Sequence, residues 1–300
     1  MSNLYDVIIV GGGPAGLTAA VYARRAGKSV LVIEKAGFGG QITWSPKVEN
    51  FPSVISISGT ELGDLLLTQA MEQGADVELE EIVSIEKVDD GFDVLAANGH
   101  SFSGRSVILA TGAKPRMLGI DREDDLIGNG VCFCAVCDGA FYEGLPVAVY
   151  GGGNSALQDA LLLSEKCSKV YLIHRRDSFR GEARLVEALQ ERTNVEFVLN
   201  CSVTALVGDE ELRGVTLSDG RTLDIAGLFV AIGHRPDNEA FAALLNLDEA
   251  GYVLSGEDCR TGTDGLFVAG DCRKKGVRQV ATACADGAVA ALTACSYLDA

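Results

Sequence analysis

The sequence predicts an α/β protein of two three-layer units, the second inserted into a discontinuous first, and three observations predict it. A strand, glycine turn, helix and strand pattern at residues 5–35, YDVIIVGGGPAGLTAAVYARRAGKSVLVIEK, recurs at 145–176, LPVAVYGGGNSALQDALLLSEKCSKVYLIHRR. The copies stand in constant register, Gly11 matching Gly151 and Gly13 matching Gly153, an offset of 140 positions (151 less 11). Two further strand-and-turn segments, RSVILATGAKPR (105–116) and AGLFVAIGHRP (226–236), bracket the second copy and read as the crossings out of the first unit and back.

Each copy opens with an apolar run of the kind a parallel strand buried on both faces requires. Gly11 and Gly151 allow the tight turn. Gly13 and Gly153 let the backbone approach a pyrophosphate at the helix N-terminus, where free N–H groups and the dipole favour an anion. Gly16 permits close packing of helix on strand, and Ala156 takes that place in the second copy, which the fingerprint tolerates. A lone glycine motif is weak evidence. A strand before it, a helix after it and a second strand at the right distance make both copies Rossmann-like dinucleotide sites.

The copies end differently. In each, the informative position lies 23 residues after the first glycine (34 less 11, 174 less 151). The first copy reaches Glu34, suited to hydrogen-bonding a ribose diol, so its ligand should carry an unphosphorylated adenosine ribose, as in FAD or NAD. The second reaches His174, followed by Arg175, Arg176 and Arg180 in HRRDSFR, a cationic cluster suited to a 2′-phosphate, and hence to NADPH. A solvated basic loop is the plainer alternative. The first unit should then comprise residues 1–114 and 240–300, and the inserted unit 115–239.

The last segment fits that division. GLFVAGDC (265–272) is a strand ending in Gly270 and Asp271, an aspartate placed to bind a polyol. RQVATACADGAVAALTACSYL (278–298) reads as a helix with small residues on its packed face, and its start at Arg278, Gln279 and Val280 is positioned to face the anionic edge of a reduced flavin. A plain C-terminal packing helix has a similar pattern.

Composition narrows the function classes. The chain of 300 residues is 47% hydrophobic, with 36 glycines and 6 prolines, as expected of a globular, turn-rich α/β protein. A net charge of −17 speaks against nucleic-acid binding, which needs a basic surface. No apolar run approaches the roughly 18 residues of a membrane span. The N-terminus has no basic leader, so the nine cysteines are expected in a reducing cytoplasm. Three of them crowd into VCFCAVCDGAFY (131–142): Cys132, Cys134 and Cys137, followed by Asp138. Spacing alone leaves open a zinc site, inert core sulfur or a redox centre. Zinc wants four ligands, yet there is no second C-x-x-C, and the histidines are His100, His174 and His234, so no metal is expected. The seven cysteines outside the C-x-x-C read as small buried hydrophobes.

Taken together, GGGPAG (11–16), GGQITWSPKVENFP (39–52), ATG (110–112), CAVCDG (134–139), GGGNSA (151–156), HRRDSFR (174–180), AIGHRP (231–236) and AGDCRKKGVRQVATACADG (269–287) closely resemble the low-molecular-weight, bacterial-type thioredoxin reductases over nearly the whole chain. The resemblance implies an FAD-containing homodimer in which NADPH reduces flavin, flavin reduces a Cys134–Cys137 disulfide, and the dithiol reduces thioredoxin. By position it carries over Gly11, Gly13, Pro14, Ala15, Glu34, Gly40, Gln41, Asn50, Thr111, Gly112, Asp271, Arg278, Gln279 and Val280 as FAD contacts. It carries over Gly153, Asn154, Ser155, His174, Arg175, Arg176, Arg180 and Ile232 as NADPH contacts. Cys137 is then the sulfur nearer the flavin, Cys134 the nucleophile toward thioredoxin, and Asp138 the proton donor. In the family one domain rotates against the other, and the glycine-containing crossings at 113–118 and 233–239 fit such a hinge. Cys132 and Cys272 depart from the family pattern and raise the prospect of side oxidation. The alternatives are a reductase for another thioredoxin-like or peroxiredoxin-linked partner, a small-molecule dithiol oxidase, and a flavin-binding sensor without turnover.

Overall fold

A computed structural model describes residues 4–300. The chain divides into two compact units, Met1–Lys114 with Arg235–Ala300, and Pro115–His234. In the first, β1 (Leu4–Val10) runs through the glycine turn into α1 (Pro14–Arg25) and β2 (Val30–Glu34). Pro14 at the first helical position costs no hydrogen bond, because that N–H has no partner within the helix. A short 3-10 turn, Gly40–Trp44, precedes α2 (Gly59–Glu72), whose N-cap Ser58 accepts the Glu61 N–H at 3.1 Å. Strands β3 (Asp76–Leu79), β4 (Ile82–Val88), β5 (Gly91–Ala96) and β6 (Ser101–Leu109) follow, and β7 (Ala113–Pro115) carries the chain out.

The second unit holds two short helices, α3 (Glu123–Leu126) and, after β8 (Val131–Cys132), α4 (Ala135–Asp138). Then come β9 (Pro146–Gly151), α5 (Asn154–Ser164), β10 (Lys169–His174), α6 (Ala183–Gln190) and β11 (Val195–Leu199). A small antiparallel sheet of β12 (Val203–Val207), β13 (Gly214–Leu217) and β14 (Thr222–Asp224) precedes β15 (Gly227–Ala231). The parallel sheet runs β11-β10-β9-β15-β8. The chain returns through β16 (His234–Pro236), which pairs with β7 as a two-stranded ribbon. It finishes with β17 (Leu266–Val268) and α7 (Val280–Leu298).

The first sheet has the order β3-β2-β1-β6, parallel, with β17 parallel to the end of β6 and an antiparallel β5–β4 extension on its start. Side-chain alternation splits its apolar residues between two cores. Val7 and Ile9 join the alanines of α1 and α7 on one face, while Ile8 and Val10 meet Phe92, Val94 and Phe241 on the other. By length and composition α7 is the one helix among the described residues apolar enough to cross a membrane, but it packs as a core helix with Ala283, Ala290, Ala291 and Ala294 buried.

The repeat read from the sequence is a repeat in space. A Cβ built on Gly11, which has φ +115°, would stand 2.2 Å from the Ala110 carbonyl oxygen at the end of β6. One built on Gly151 would stand 2.4 Å from the Ala231 oxygen at the end of β15. In both units the glycine turn presses on the end of the neighbouring parallel strand, and no other residue fits.

Candidate active site

Strand β8 delivers the cysteines. Cys132 is its last residue and points into the core of the second unit, whereas Cys134 has left the strand to become the N-cap of α4. Cys134 and Cys137 form a disulfide, and Cys134 Sγ accepts the Cys137 N–H at 3.1 Å. Asp138 closes the turn, its N–H bonded to the Cys134 carbonyl at 3.0 Å. Burial pushes the Asp138 carboxyl up to about 6, so part of the population keeps its proton near neutral pH.

Cys132 behaves differently. Its sulfur lies 3.2 Å from the Tyr142 hydroxyl, and burial, with the Asp138 charge adding to it, pushes the thiol up to about 12. Thiolate is the reactive form, so this sulfur is inert at neutral pH. Tyr142 is itself pushed up by burial and packs edge-on against Phe229 at 5.4 Å. Beside the disulfide, Val136 is 64% exposed at the mouth of a cavity of about 150 Å³ lined by Ala135, Gly139, Ala140, Leu162, Leu163 and Lys166. Among the described residues no group of three or more His, Cys, Asp or Glu side chains is placed to hold a metal ion.

The first glycine turn is assembled as a cradle. Gly12 N–H donates to Glu34 Oε2 at 2.7 Å, while Glu34 Oε1 accepts from the Lys35 and Ala36 N–H groups, which fixes the carboxylate at the end of β2. Gly13 and Gly40 face each other closely: a Cβ on Gly40 would come within 3.1 Å of the Gly13 Cα. Gln41 donates to the Ala113 carbonyl at 2.7 Å beside Gly112, Thr111 donates to Asn238 at 3.0 Å, and Asn50 donates to Gln279 at 3.2 Å. Gly270 lies against Ala15, and Arg278 Nε donates to the Asp271 carbonyl at 3.3 Å while its guanidinium covers Tyr252. Gln279 caps α7, which begins at Val280. The residues carried over for the first site therefore occupy one connected surface of the first unit. Asp271 Oδ1 is buried there without a hydrogen-bond partner; Lys275 Nζ stands 3.2 Å away, an ion-pair distance without hydrogen-bond geometry. With Oδ1 turned inward toward Lys275, it is the exposed part of this side chain, 31% overall, that is open to a ligand hydroxyl.

The second turn is arranged in parallel. Gly153 is the N-cap of α5, which opens with Asn154 and Ser155, and Asn154 is held by two hydrogen bonds with Glu182. His174 ends β10 and lies under the turn, so a Cβ on Gly152 would meet its ring at 2.2 Å. Its ring stacks on Phe179, Nε2 is buried without a partner, and burial with the charges of Arg176, Arg180 and Arg175 holds it below its ordinary pKa. Those three arginines are exposed, and the Arg180 N–H folds the loop back onto the Gly152 carbonyl at 2.8 Å. Ile232 directly follows β15 and packs on that unit's core. Both nucleotide cradles thus fit dinucleotides by donor set and glycine turn.

Two glycine-turn dinucleotide units and a redox disulfide define a flavin- and nicotinamide-dependent disulfide oxidoreductase. The chain belongs to the pyridine nucleotide-disulphide oxidoreductase family, whose model matches residues 5–287. It is 42% identical over 295 residues to the thioredoxin reductase of Mycoplasma genitalium, with 96% of this chain and 94% of that protein covered. It superposes on the crystal structure of thioredoxin reductase from Streptococcus pyogenes with a TM-score of 0.94 at 34% identity, covering 100% of this chain and 99% of that one. For the thioredoxin reductase of Giardia duodenalis the TM-score is 0.92 at 35% identity, with both chains covered in full. The family, the α/β fold, the FAD and NADPH requirement and the class of oxidoreductase acting on sulfur agree with the resemblance read from the sequence.

Motif reading passed over two groups. Asn238, 1% exposed, accepts from Thr111 and donates to the carbonyls of Gly251 and Cys272 at 2.9 and 3.0 Å. Asp286, inside α7, binds Arg273 through both oxygens at 2.9 Å and Lys275 at 3.0 Å. An acid in an otherwise apolar helix was the available signal, because a buried charge requires a partner.

Proposed function

We propose that the chain passes electrons from NADPH through FAD to the Cys134–Cys137 disulfide and from the resulting dithiol to oxidised thioredoxin. The observation that carries this reading is a disulfide at the start of a short helix, beside a buried acid, in the same unit as an arginine-ended glycine turn. On this reading Met1–Lys114 with Arg235–Ala300 binds FAD and Pro115–His234 binds NADPH. Bound FAD supplies the two-electron relay between nicotinamide and sulfur.

Reduction breaks the Cys134–Cys137 bond and, with two electrons and two protons, leaves two thiols; Asp138 holds one proton within the buried site. Cys134, as thiolate, attacks a sulfur of the thioredoxin disulfide to form a mixed disulfide. Cys137 then attacks Cys134 Sγ, which restores the protein disulfide and releases thioredoxin as a dithiol. Glu34 and Asp271 hold the FAD ribose and polyol, Arg278, Gln279 and Val280 face its ring, and Gly11, Gly13, Pro14 and Ala15 take its pyrophosphate. Gly153, Asn154 and Ser155 take the NADPH pyrophosphate, and Arg175, Arg176 and Arg180 grip its 2′-phosphate from His174 outward. A homodimer is supported by the exposed apolar line of Ala281, Ala285, Val289 and Leu292 along α7. Seven unpaired cysteines suit a reducing, cytoplasmic setting.

The test is purified protein, its visible spectrum, and NADPH oxidation with oxidised thioredoxin added or omitted. A yellow protein with about one FAD per chain and thioredoxin-dependent consumption is expected; a colourless protein that takes up no FAD, or consumption indifferent to thioredoxin, refutes it.

A further inference from the structure

Behind the polyol-facing aspartate lies a buried charge network. Asp286 accepts four hydrogen bonds: Arg273 Nε on Oδ2 and Nη2 on Oδ1, both 2.9 Å, Lys275 Nζ at 3.0 Å, and the Gly270 N–H at 3.1 Å. The side chains of Arg273, Asp286 and Lys275 are only 9%, 10% and 9% exposed. The stretch from Gly270 to Lys275 therefore wraps around one carboxylate carried by α7. Lys275 also reaches Thr282 Oγ1 at 3.4 Å and stands 3.2 Å from Asp271 Oδ1.

Two cations and two carboxylates balance only when Asp271 is counted. Asp286 keeps Arg273 as a two-pronged partner if Lys275 is lost, whereas Lys275 is the cation at Asp271 Oδ1. Its ammonium stands at ion-pair distance from Oδ1, the oxygen turned into the protein, while the Asp271 side chain as a whole is 31% exposed. Lys275 thus holds one end of the carboxylate and leaves the other to the outside.

We propose that Lys275 is a positioning residue for the flavin: through the inward-facing Oδ1 it ties the Asp271 carboxylate to the buried Arg273–Asp286 pair and leaves the exposed part of that side chain to a cofactor hydroxyl. This rests on the assignment of Asp271 to the FAD polyol made above. A hydrogen bond to a charged group, once mispositioned, is lost at roughly 10- to 100-fold in affinity.

The experiment is the rate at which flavin leaves the holoprotein on dilution, followed by the rise in flavin fluorescence, with circular dichroism to confirm that each variant is folded. Lys275→Met should release FAD about 10- to 100-fold faster, and Lys275→Arg should recover most of the loss. The decisive comparison is with Asp271→Asn alone and combined with Lys275→Met. If Lys275 acts through Asp271, the double variant releases flavin no faster than Asp271→Asn. If Asp271→Asn speeds release and Lys275→Met does not, or if the two effects multiply, the proposal for Lys275 is overturned while the Asp271 assignment stands. If Asp271→Asn leaves release unchanged, the Asp271 assignment itself fails. Should Lys275→Met not fold, Lys275→Gln is judged by the same criteria.

Discussion

Replacing Asp138 with asparagine tests the proton-donor role proposed for it and the burial that raises its pKa. Burial lifts this carboxyl from the ordinary 3.8 to about 6, so the folded protein holds the proton more tightly than the unfolded chain. Linkage gives the sign: stability is undiminished below about pH 4, falls as the pH rises through about 6, and stays reduced above it. With about 1.4 kcal/mol for each pH unit between the two values, the wild-type penalty has a ceiling of about 3 kcal/mol at pH 8. Asparagine has nearly the same shape and no charge to desolvate. Asp138→Asn should therefore be more stable than wild type by about 1–3 kcal/mol at pH 8, with the difference shrinking toward pH 4. The same change should lower turnover by about 10²- to 10⁴-fold, the usual contribution of a positioned general acid. At pH 7 a carboxyl titrating near 6 is about one-tenth protonated, roughly 100-fold more than one at its ordinary value. The assays are urea unfolding of the oxidised holoprotein at pH 4 and pH 8, and NADPH-to-thioredoxin turnover. Asp159, also pushed up to about 6 by burial, is present in both proteins and cancels in the comparison. A stability difference that does not change with pH, or turnover within about threefold of wild type, would refute the reasoning.

Three further tests address the other parts of the site. Neutral replacements of Arg175 and Arg176 should weaken NADPH about 10- to 100-fold per lost contact while leaving NADH almost untouched; equal losses in a coenzyme titration would show that they do not read the 2′-phosphate. Cys134→Ser and Cys137→Ser should both abolish thioredoxin reduction, the latter trapping thioredoxin as a mixed disulfide on Cys134, whereas Cys132→Ser should retain most turnover. If Cys132→Ser is equally inactive while folded and yellow, the assignment of the redox pair fails. Gly11→Ala places a Cβ 2.2 Å from the Ala110 oxygen at a φ of +115°, and should cost at least about 2 kcal/mol and most of the bound flavin, read from the ratio of visible to ultraviolet absorbance.

Much of the first-order architecture was legible because it rests on local chemistry. A parallel strand buried on both faces must be apolar, and a turn pressed against the next strand must be glycine, so two copies of that pattern announce two similar units. Even the difference between the copies has a visible cause. A Cβ at Gly16 would come within 1.9 Å of the Gly11 carbonyl oxygen, whereas in the second turn the methyl of Ala156 sits beside Gly151 and fills that space. The Asp286 network was not legible, since partners 11 and 13 residues earlier (286 less 275, 286 less 273) follow no helical or strand period. Nor was His174 beneath Gly152, because its motif describes a ligand contact and says nothing of what supports the turn.

The cysteine cluster shows where spacing stops being informative. In VCFCAVC the sulfur at 132 is two residues from Cys134 and five from Cys137, and nothing in those intervals separates a reactive thiol from an inert one. The backbone makes the distinction. Cys132 still belongs to β8, paired through Phe229, and its side chain takes the buried side of the sheet, where Tyr142 is its polar neighbour at 3.2 Å. Cys134 has turned out of the strand to cap a helix, which places its sulfur over the Cys137 N–H. A helix N-terminus favours a thiolate and an apolar core suppresses one, so a single change of backbone direction gives neighbouring sulfurs opposite reactivity. Burial keeps the Tyr142 hydroxyl a neutral phenol, which is no base for the buried Cys132 thiol. A third thiol can therefore stand beside the redox disulfide without exchanging with it, since attack on a disulfide requires the ionised sulfur that this environment withholds.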